Sequence, residues 1–197
     1  MGDSTTGGSP VAEKGRRRIG RVNVLGWLGI NLARCGMKEQ ARDLQKQIEA
    51  ETRMPRTSMF TPVLPDQLEL AKQAFGLQIV GEILLSGKNI NGAIQKFKKV
   101  IEIVPLRNAL FPTMLSPQVA LAAAQSLAKA HEQRAGWSAA ASACEAILKH
   151  KELCIGSDGA SAVWVGALQS IIPALEKAGR SNETGGYREM VRRLQPS

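Results

Sequence analysis

Aromatic residues and cysteine are scarce in this sequence, and long apolar runs are missing from it. Three Trp, one Tyr and four Phe make up 4% of 197 residues. Cys35, Cys144 and Cys154 form an odd, widely spaced set, which does not suit the disulfide framework of a small secreted protein. No run approaches the roughly 18 apolar residues that cross a bilayer. We therefore expect an intracellular protein of a reducing compartment, with no transmembrane segment.

The residue patterns of enzyme and metal sites are also missing. His131 and His150 are the only histidines, and neither they nor the cysteines have the close paired spacing of zinc ligands. The stretch 156–159 has two glycines but no lysine, so it does not match a phosphate-binding loop. We read the cysteines as small core residues. The sequence predicts a non-enzymatic protein with no catalytic residues, no cofactor and no metal.

Positive charge is in excess, because 26 Lys and Arg residues face 17 Asp and Glu residues, for a net charge of +9. Such a balance favours acidic partners: nucleic acid, an anionic membrane surface or an acidic protein. The alternative, a merely solvated basic surface, is equally compatible. The candidate partner-binding residues are Arg16, Arg17, Arg18, Lys96 and Lys99.

Apolar spacing predicts an all-α protein, because apolar residues recur three and four positions apart and alternation with a period of two is poor. Residues 1–20, rich in Gly, Ser, Thr and then Arg, are expected to form a flexible basic N-terminal arm, and residues 21–197 a helical domain. Proline and glycine mark the helix ends. The expected helices cover about 21–35, 38–52, 67–86, 90–104, 116–132, 137–150, 160–177 (kinked or broken near Pro173) and 184–194.

A spacing of small and large residues recurs along these helix pairs. In the second pair Gly81 lies 12 residues before Ala93, and Phe97 and Pro105 follow on the second helix and at its end. In the first pair Gly29 again lies 12 residues before Ala41. In the third pair, more weakly, Ala128 lies 12 residues before Ala140. Small residues on facing turns allow two helices to approach closely.

These positions resemble the tetratricopeptide repeat, most closely in the second pair. The resemblance covers about residues 22–151 and implies antiparallel helix pairs stacked as a short α-solenoid. The structural repeat positions would be Gly29, Ala41, Gly81, Ala93, Phe97 and Pro105. The alanines lie 52 and 47 residues apart, whereas the family's period is about 34 residues. An irregular helical bundle is the alternative architecture.

The resemblance implies an interaction scaffold or an assembly subunit of a larger complex, which binds segments of protein partners on the surface formed by the first helices of the pairs. A clamp for a partner's terminal carboxylate is not expected, because Ile30 and Glu82 stand where that clamp has asparagine. The alternative function is RNA binding or membership of a ribonucleoprotein or membrane-associated assembly, supported by the charge. Against RNA binding, most aromatic residues fall in helical stripes where packing is expected, namely Trp27, Phe75, Phe97, Trp137 and Trp164.

Overall fold

The computed structural model describes residues 10–53, 67–104, 116–150 and 158–194, with the side chains of 20–53, 69–104, 118–150 and 162–193. Within these ranges the chain forms eight α-helices and no strand, which confirms the all-α prediction. The helices are α1 (Pro10–Arg34), α2 (Lys38–Thr52), α3 (Gln67–Ser86), α4 (Ile90–Ile103), α5 (Ser116–Gln133), α6 (Trp137–Leu148), α7 (Asp158–Lys177) and α8 (Thr184–Leu194). A short 3-10 turn, Ser181–Glu183, precedes α8.

Two helices differ from their sequence-based expectation. α1 begins at Pro10 rather than near Arg21, with proline at the first helical position, where its missing N–H is not needed. Residues 10–20, expected on the flexible arm, are therefore helical. α7 runs through Pro173 as a single α-helix, so the chain is not broken there.

Four turns of the same kind join the helices of each pair. Each has one residue in the left-handed region, and these residues are Gly36, Lys88, Ala135 and Gly179. In every turn the N–H of the next residue donates to the carbonyl five residues before it, with N···O distances of 2.8 to 2.9 Å. This bond is typical of a helix that ends with a left-handed residue. The four turn residues lie 52, 47 and 44 residues apart, so the first two intervals reproduce those between the alanines at 41, 93 and 140.

Neighbouring helices pack against each other throughout the described chain, so each helix contacts the one before and the one after it. In addition α1 contacts α3, α3 contacts α5, and α5 contacts α7. The chain is thus four helical hairpins in sequence: α1–α2, α3–α4, α5–α6 and α7–α8. Two groups of buried apolar residues hold them together, a smaller one between the first two hairpins and a larger one running from α3 to α7.

The small and large residues picked out by the sequence lie in these cores. Ala41, Ala93 and Phe97 are buried, and Phe97 is fully enclosed. Gly81 is buried directly against the Phe97 ring, which a β-carbon at residue 81 would overlap. Gly29 packs on Ile83 of α3. Pro105, the last of the predicted repeat positions, lies outside the described residues.

Candidate protein-binding surface

The second hairpin packs on the first through two large side chains of α3 that fit over small residues of α1. A β-carbon added at Gly26 of α1 would lie 2.5 Å from Cγ2 of Ile79, and one at Gly29 would lie 2.6 Å from Cδ1 of Ile83. Both isoleucines belong to α3. The two isoleucines can approach α1 this closely only because the two α1 positions carry no side chain. Carbon atoms normally pack at about 3.5–4.0 Å, so β-carbons there would be too close.

The α3 residues that face the first hairpin have equivalents in every odd-numbered helix. Residues are equivalent when they lie the same number of positions before the turn residue of their hairpin. The equivalent positions are 76, 79, 80 and 83 in α3; 123, 126, 127 and 130 in α5; and 167, 170, 171 and 174 in α7. Ten of these twelve residues are buried and the other two are partly buried. This set is therefore the face with which a hairpin stacks on its predecessor.

In α1 the equivalent positions are 24, 27, 28 and 31. Val24 is 66% exposed, Trp27 70% and Leu28 41%. Asn31 is partly buried, and its side-chain amide donates to the carbonyl of Trp27 at 2.8 Å. We call these four residues the open stacking face. It is an apolar packing surface with no hairpin on it in the described part of the chain.

The expectation that Trp27 packs inside a helical stripe was wrong. The other four aromatic residues of that expectation are buried or partly buried: Phe75, Phe97, Trp137 and Trp164. The apolar spacing of α1 correctly identifies a packing face, but the spacing cannot tell whether anything packs on it. Shifting Val24, Trp27 and Leu28 by the 52-residue interval gives Gly76, Ile79 and Val80, which already have the first hairpin as their neighbour.

The last hairpin differs from the first in the residues that it leaves exposed. The positions of α1 that face the next hairpin are 22, 26, 29 and 33. The equivalent residues of α7 are Val165, Gln169, Ile172 and Glu176. Gln169 and Glu176 are exposed, and Glu176 accepts a bond from Arg188 of α8 at 2.5 Å. The last hairpin therefore leaves polar side chains exposed on this side, whereas the first hairpin exposes the apolar residues of the open stacking face.

The basic candidates of the sequence analysis are not gathered into one site. Lys96 forms an ion pair with Glu49 of α2 at 2.6 Å, so its charge is already matched, whereas Lys99 is exposed on α4. Arg16, Arg17 and Arg18 lie along α1, on the same helix as the open stacking face. α1 carries six basic residues and one acidic residue, for a net charge of +5.

The carboxylate of Glu82 on α3 accepts hydrogen bonds from other residues of the protein. Its carboxylate accepts a bond from Gln78 of the same helix at 3.0 Å and a short one from Ser126 of α5. Glu82 thus joins the second and third hairpins. A carboxylate held here would repel the terminal carboxylate of a partner.

The reactive side chains do not assemble into a catalytic arrangement within the described ranges. Burial, then the negative charges of Glu132 and Glu145, raises the pKa of Cys144 to about 12, so its thiol is a poor nucleophile. His131 is buried, and burial together with Lys98 and Arg134 lowers its pKa. Across residues 10–53, 67–104, 116–150 and 158–194, no three metal-binding side chains come together.

A small cleft of about 100 Å³ lies between the turns of the first two hairpins, beside Lys38, Arg42 and Asn89. No described helix has both the length and the apolar character needed to cross a membrane.

Two comparisons with known proteins found no match for this chain. No protein-family model matches the chain. No curated protein matches it either.

Proposed function

We propose that this chain is a non-enzymatic scaffold or assembly subunit that binds other proteins, with its helical hairpins stacked as a short tetratricopeptide-like α-solenoid. The stacking is supported by the repeated turn and by the contacts of each odd-numbered helix with the next odd-numbered helix. The exposed thiol of Cys35 suits an intracellular, reducing compartment.

One observation carries the binding function: the open stacking face is exposed in α1, while its equivalents in α3, α5 and α7 are buried or partly buried. Three adjacent apolar side chains on one helix face, one of them a tryptophan, form the kind of anchor on which protein interfaces depend. A partner that covers them gains the burial that the later hairpins obtain from their predecessors.

The test is a comparison of affinity-purified full-length chains from the cells that contain the protein naturally. Trp27→Glu places a charge on the open stacking face, and Met190→Glu is the matched control, because Met190 is 43% exposed at an outer position of α8. We expect at least one protein that is recovered with the original chain and with Met190→Glu but falls at least about tenfold with Trp27→Glu. The proposal fails if the two variants recover the same proteins, provided that both melt cooperatively.

A second candidate, RNA binding, is favoured by one specific feature, the exposed indole of Trp27 on a helix of charge +5. Exposed aromatic rings provide stacking platforms for bases, and basic residues bind phosphates. The measurement is RNA affinity at two salt concentrations. A steep loss of affinity as salt rises, together with a loss on Trp27→Ala, supports RNA binding over the scaffold.

A further inference from the structure

We propose that the open stacking face binds a helix of a partner protein that carries two small residues three positions apart and acidic residues beside them. This inference rests on the proposed scaffold function and specifies the partner. It follows from how α1 covers the α3 copy of this face and from the charge of α1.

The small residues follow from the stacking geometry. The α3 copy of the face inserts Ile79 and Ile83 over Gly26 and Gly29, which lie three residues apart on the parallel helix α1. Trp27 occupies the position of Ile79 and is larger. A helix that approaches α1 in the same way therefore needs a glycine or alanine opposite Trp27, and a second small residue three positions later, opposite Asn31.

The acidic residues follow from the electrostatics of α1. Its net charge of +5 includes Arg21, whose side chain is 65% exposed even though it pairs with Glu51, and the exposed Arg34. These two arginines lie on either side of Trp27 along the helix. Acidic residues on a partner helix would meet both, and they would raise the rate of encounter and discriminate against basic helices.

A second copy of this chain does not fit the face. If two copies of α1 paired antiparallel about Trp27 and Leu28, Arg21 of one copy would face Arg34 of the other. If they paired in parallel, Arg21 would face Arg21. Like charges placed opposite each other destabilise an interface. Head-to-tail stacking is also disfavoured, because it would place Gln169 opposite Trp27 and Ile172 opposite Asn31, where the contact of α1 with α3 has two glycines.

The experiment uses the full chain and three labelled peptides of about 18 residues, about 27 Å of helix. The first has alanine or glycine at the contacting positions and glutamate on both flanks. The second replaces each glutamate by lysine, and the third replaces each small residue by leucine. Fluorescence anisotropy gives the affinity of each peptide for the original chain, for Trp27→Ala and for the control Met190→Ala.

We expect the glutamate peptide to bind at least about tenfold more tightly than the lysine peptide and than the leucine peptide. Trp27→Ala should weaken that binding at least about tenfold, as removal of an aromatic anchor does, and Met190→Ala should leave it unchanged. The partner chemistry is overturned if the lysine or leucine peptide binds equally well, if Trp27→Ala has no effect, or if the glutamate peptide does not bind.

Two further measurements identify competing occupants. A dimer in sedimentation equilibrium that Trp27→Ala dissociates would assign the face to a second copy. Trp27-dependent binding to vesicles containing phosphatidylserine would assign it to an anionic membrane. Either result overturns the inference. If the peptides fail but a Trp27-dependent protein is still recovered from cells, only the partner chemistry is wrong. If both fail, the scaffold function is wrong as well.

Discussion

Replacing Gly81 by alanine should destabilise the protein, although alanine is the better helix former. A β-carbon at residue 81 would lie 2.8 Å from Cδ1 and 2.9 Å from Cζ of Phe97, so the ring would have to move by roughly 1 Å to restore normal contact. Phe97 is fully buried in the core that joins α3 to α7, and a close-packed core does not accommodate such a shift without cost.

The magnitude follows from two opposing effects. Overpacking a core costs about 1–3 kcal/mol, whereas a glycine-to-alanine change inside a helix gains about 1 kcal/mol. The matched control is Gly20→Ala in α1, because a β-carbon there would have no atom within 4 Å. Gly20→Ala isolates the helix-propensity gain, so the free energies of unfolding of the two variants should differ by about 1–3 kcal/mol, with Gly81→Ala the less stable.

Urea denaturation followed by circular dichroism measures both variants and the original chain. Phe97→Leu provides a second check, because the smaller side chain makes room for the new methyl group. The destabilisation by Gly81→Ala and Phe97→Leu together should be smaller than the sum of the two by about 1 kcal/mol. If Gly81→Ala is as stable as Gly20→Ala, then helix α3 does not approach α4 at this point and the hairpin packing described above is incorrect.

Three further variants test individual features of the fold. His131→Leu should raise the free energy of unfolding by about 1 kcal/mol, because Nδ1 of His131 is buried without a hydrogen-bond partner among the described residues. The pKa of His131 is lower in the folded protein than in the unfolded chain, so the unfolded chain binds the proton first as pH falls. The original protein should therefore lose stability below about pH 6.5. Urea melts at pH 7.5 and 5.5 should show that His131→Leu removes this part of the loss. Ala135→Gly should stabilise the α5–α6 turn by about 1 kcal/mol in the same assay, since Ala135 has a φ of 54° that suits glycine, and a loss of stability would contradict the turn geometry. Lys96→Ala should change stability by less than about 1 kcal/mol, because its ion pair with Glu49 is partly exposed and therefore screened, and a loss above about 2 kcal/mol would mean that the pair is more deeply buried than described.

The helices were largely predictable because their ends depend on local chemistry. The bounds of α2, α3 and α8 agree with the sequence-based ranges, since short turns and prolines limit helices without any help from distant residues. The early start of α1 was not predictable in the same way. Residues 10–20 are rich in arginine, which forms helices readily, but no apolar stripe there marks the helix.

The register between hairpins was also contained in the sequence, because the alanines at 41, 93 and 140 each follow the turn residue of their hairpin by five positions. Thr184 lies at the same position after Gly179 and is buried like the three alanines. Its equivalence was missed because the residue is a threonine, whereas the pattern in the other hairpins is an alanine. The destabilising position of His131 was missed for a related reason. It stands where the other hairpins have Leu32, Leu84 and Leu175, and only the shared turn geometry reveals the equivalence.

The open stacking face could not be predicted from periodicity, because Val24, Trp27 and Leu28 have the same spacing as a buried stripe. Whether such a stripe is buried depends on whether another hairpin precedes it in space, and this is a property of the tertiary structure rather than of local spacing. For the same reason, the ion pair between Lys96 and Glu49 was not foreseen, since it joins residues of two hairpins.

Site-specific photo-crosslinking determines whether a protein lies against Trp27 in the cell. A benzoylphenylalanine at position 27, and separately at position 190 as the control, would be introduced into the full chain in the cells that contain it naturally. We expect a discrete crosslinked protein from position 27 that is absent from position 190. Crosslinks from position 27 to nucleic acid, or no adduct that distinguishes position 27 from position 190, would contradict it.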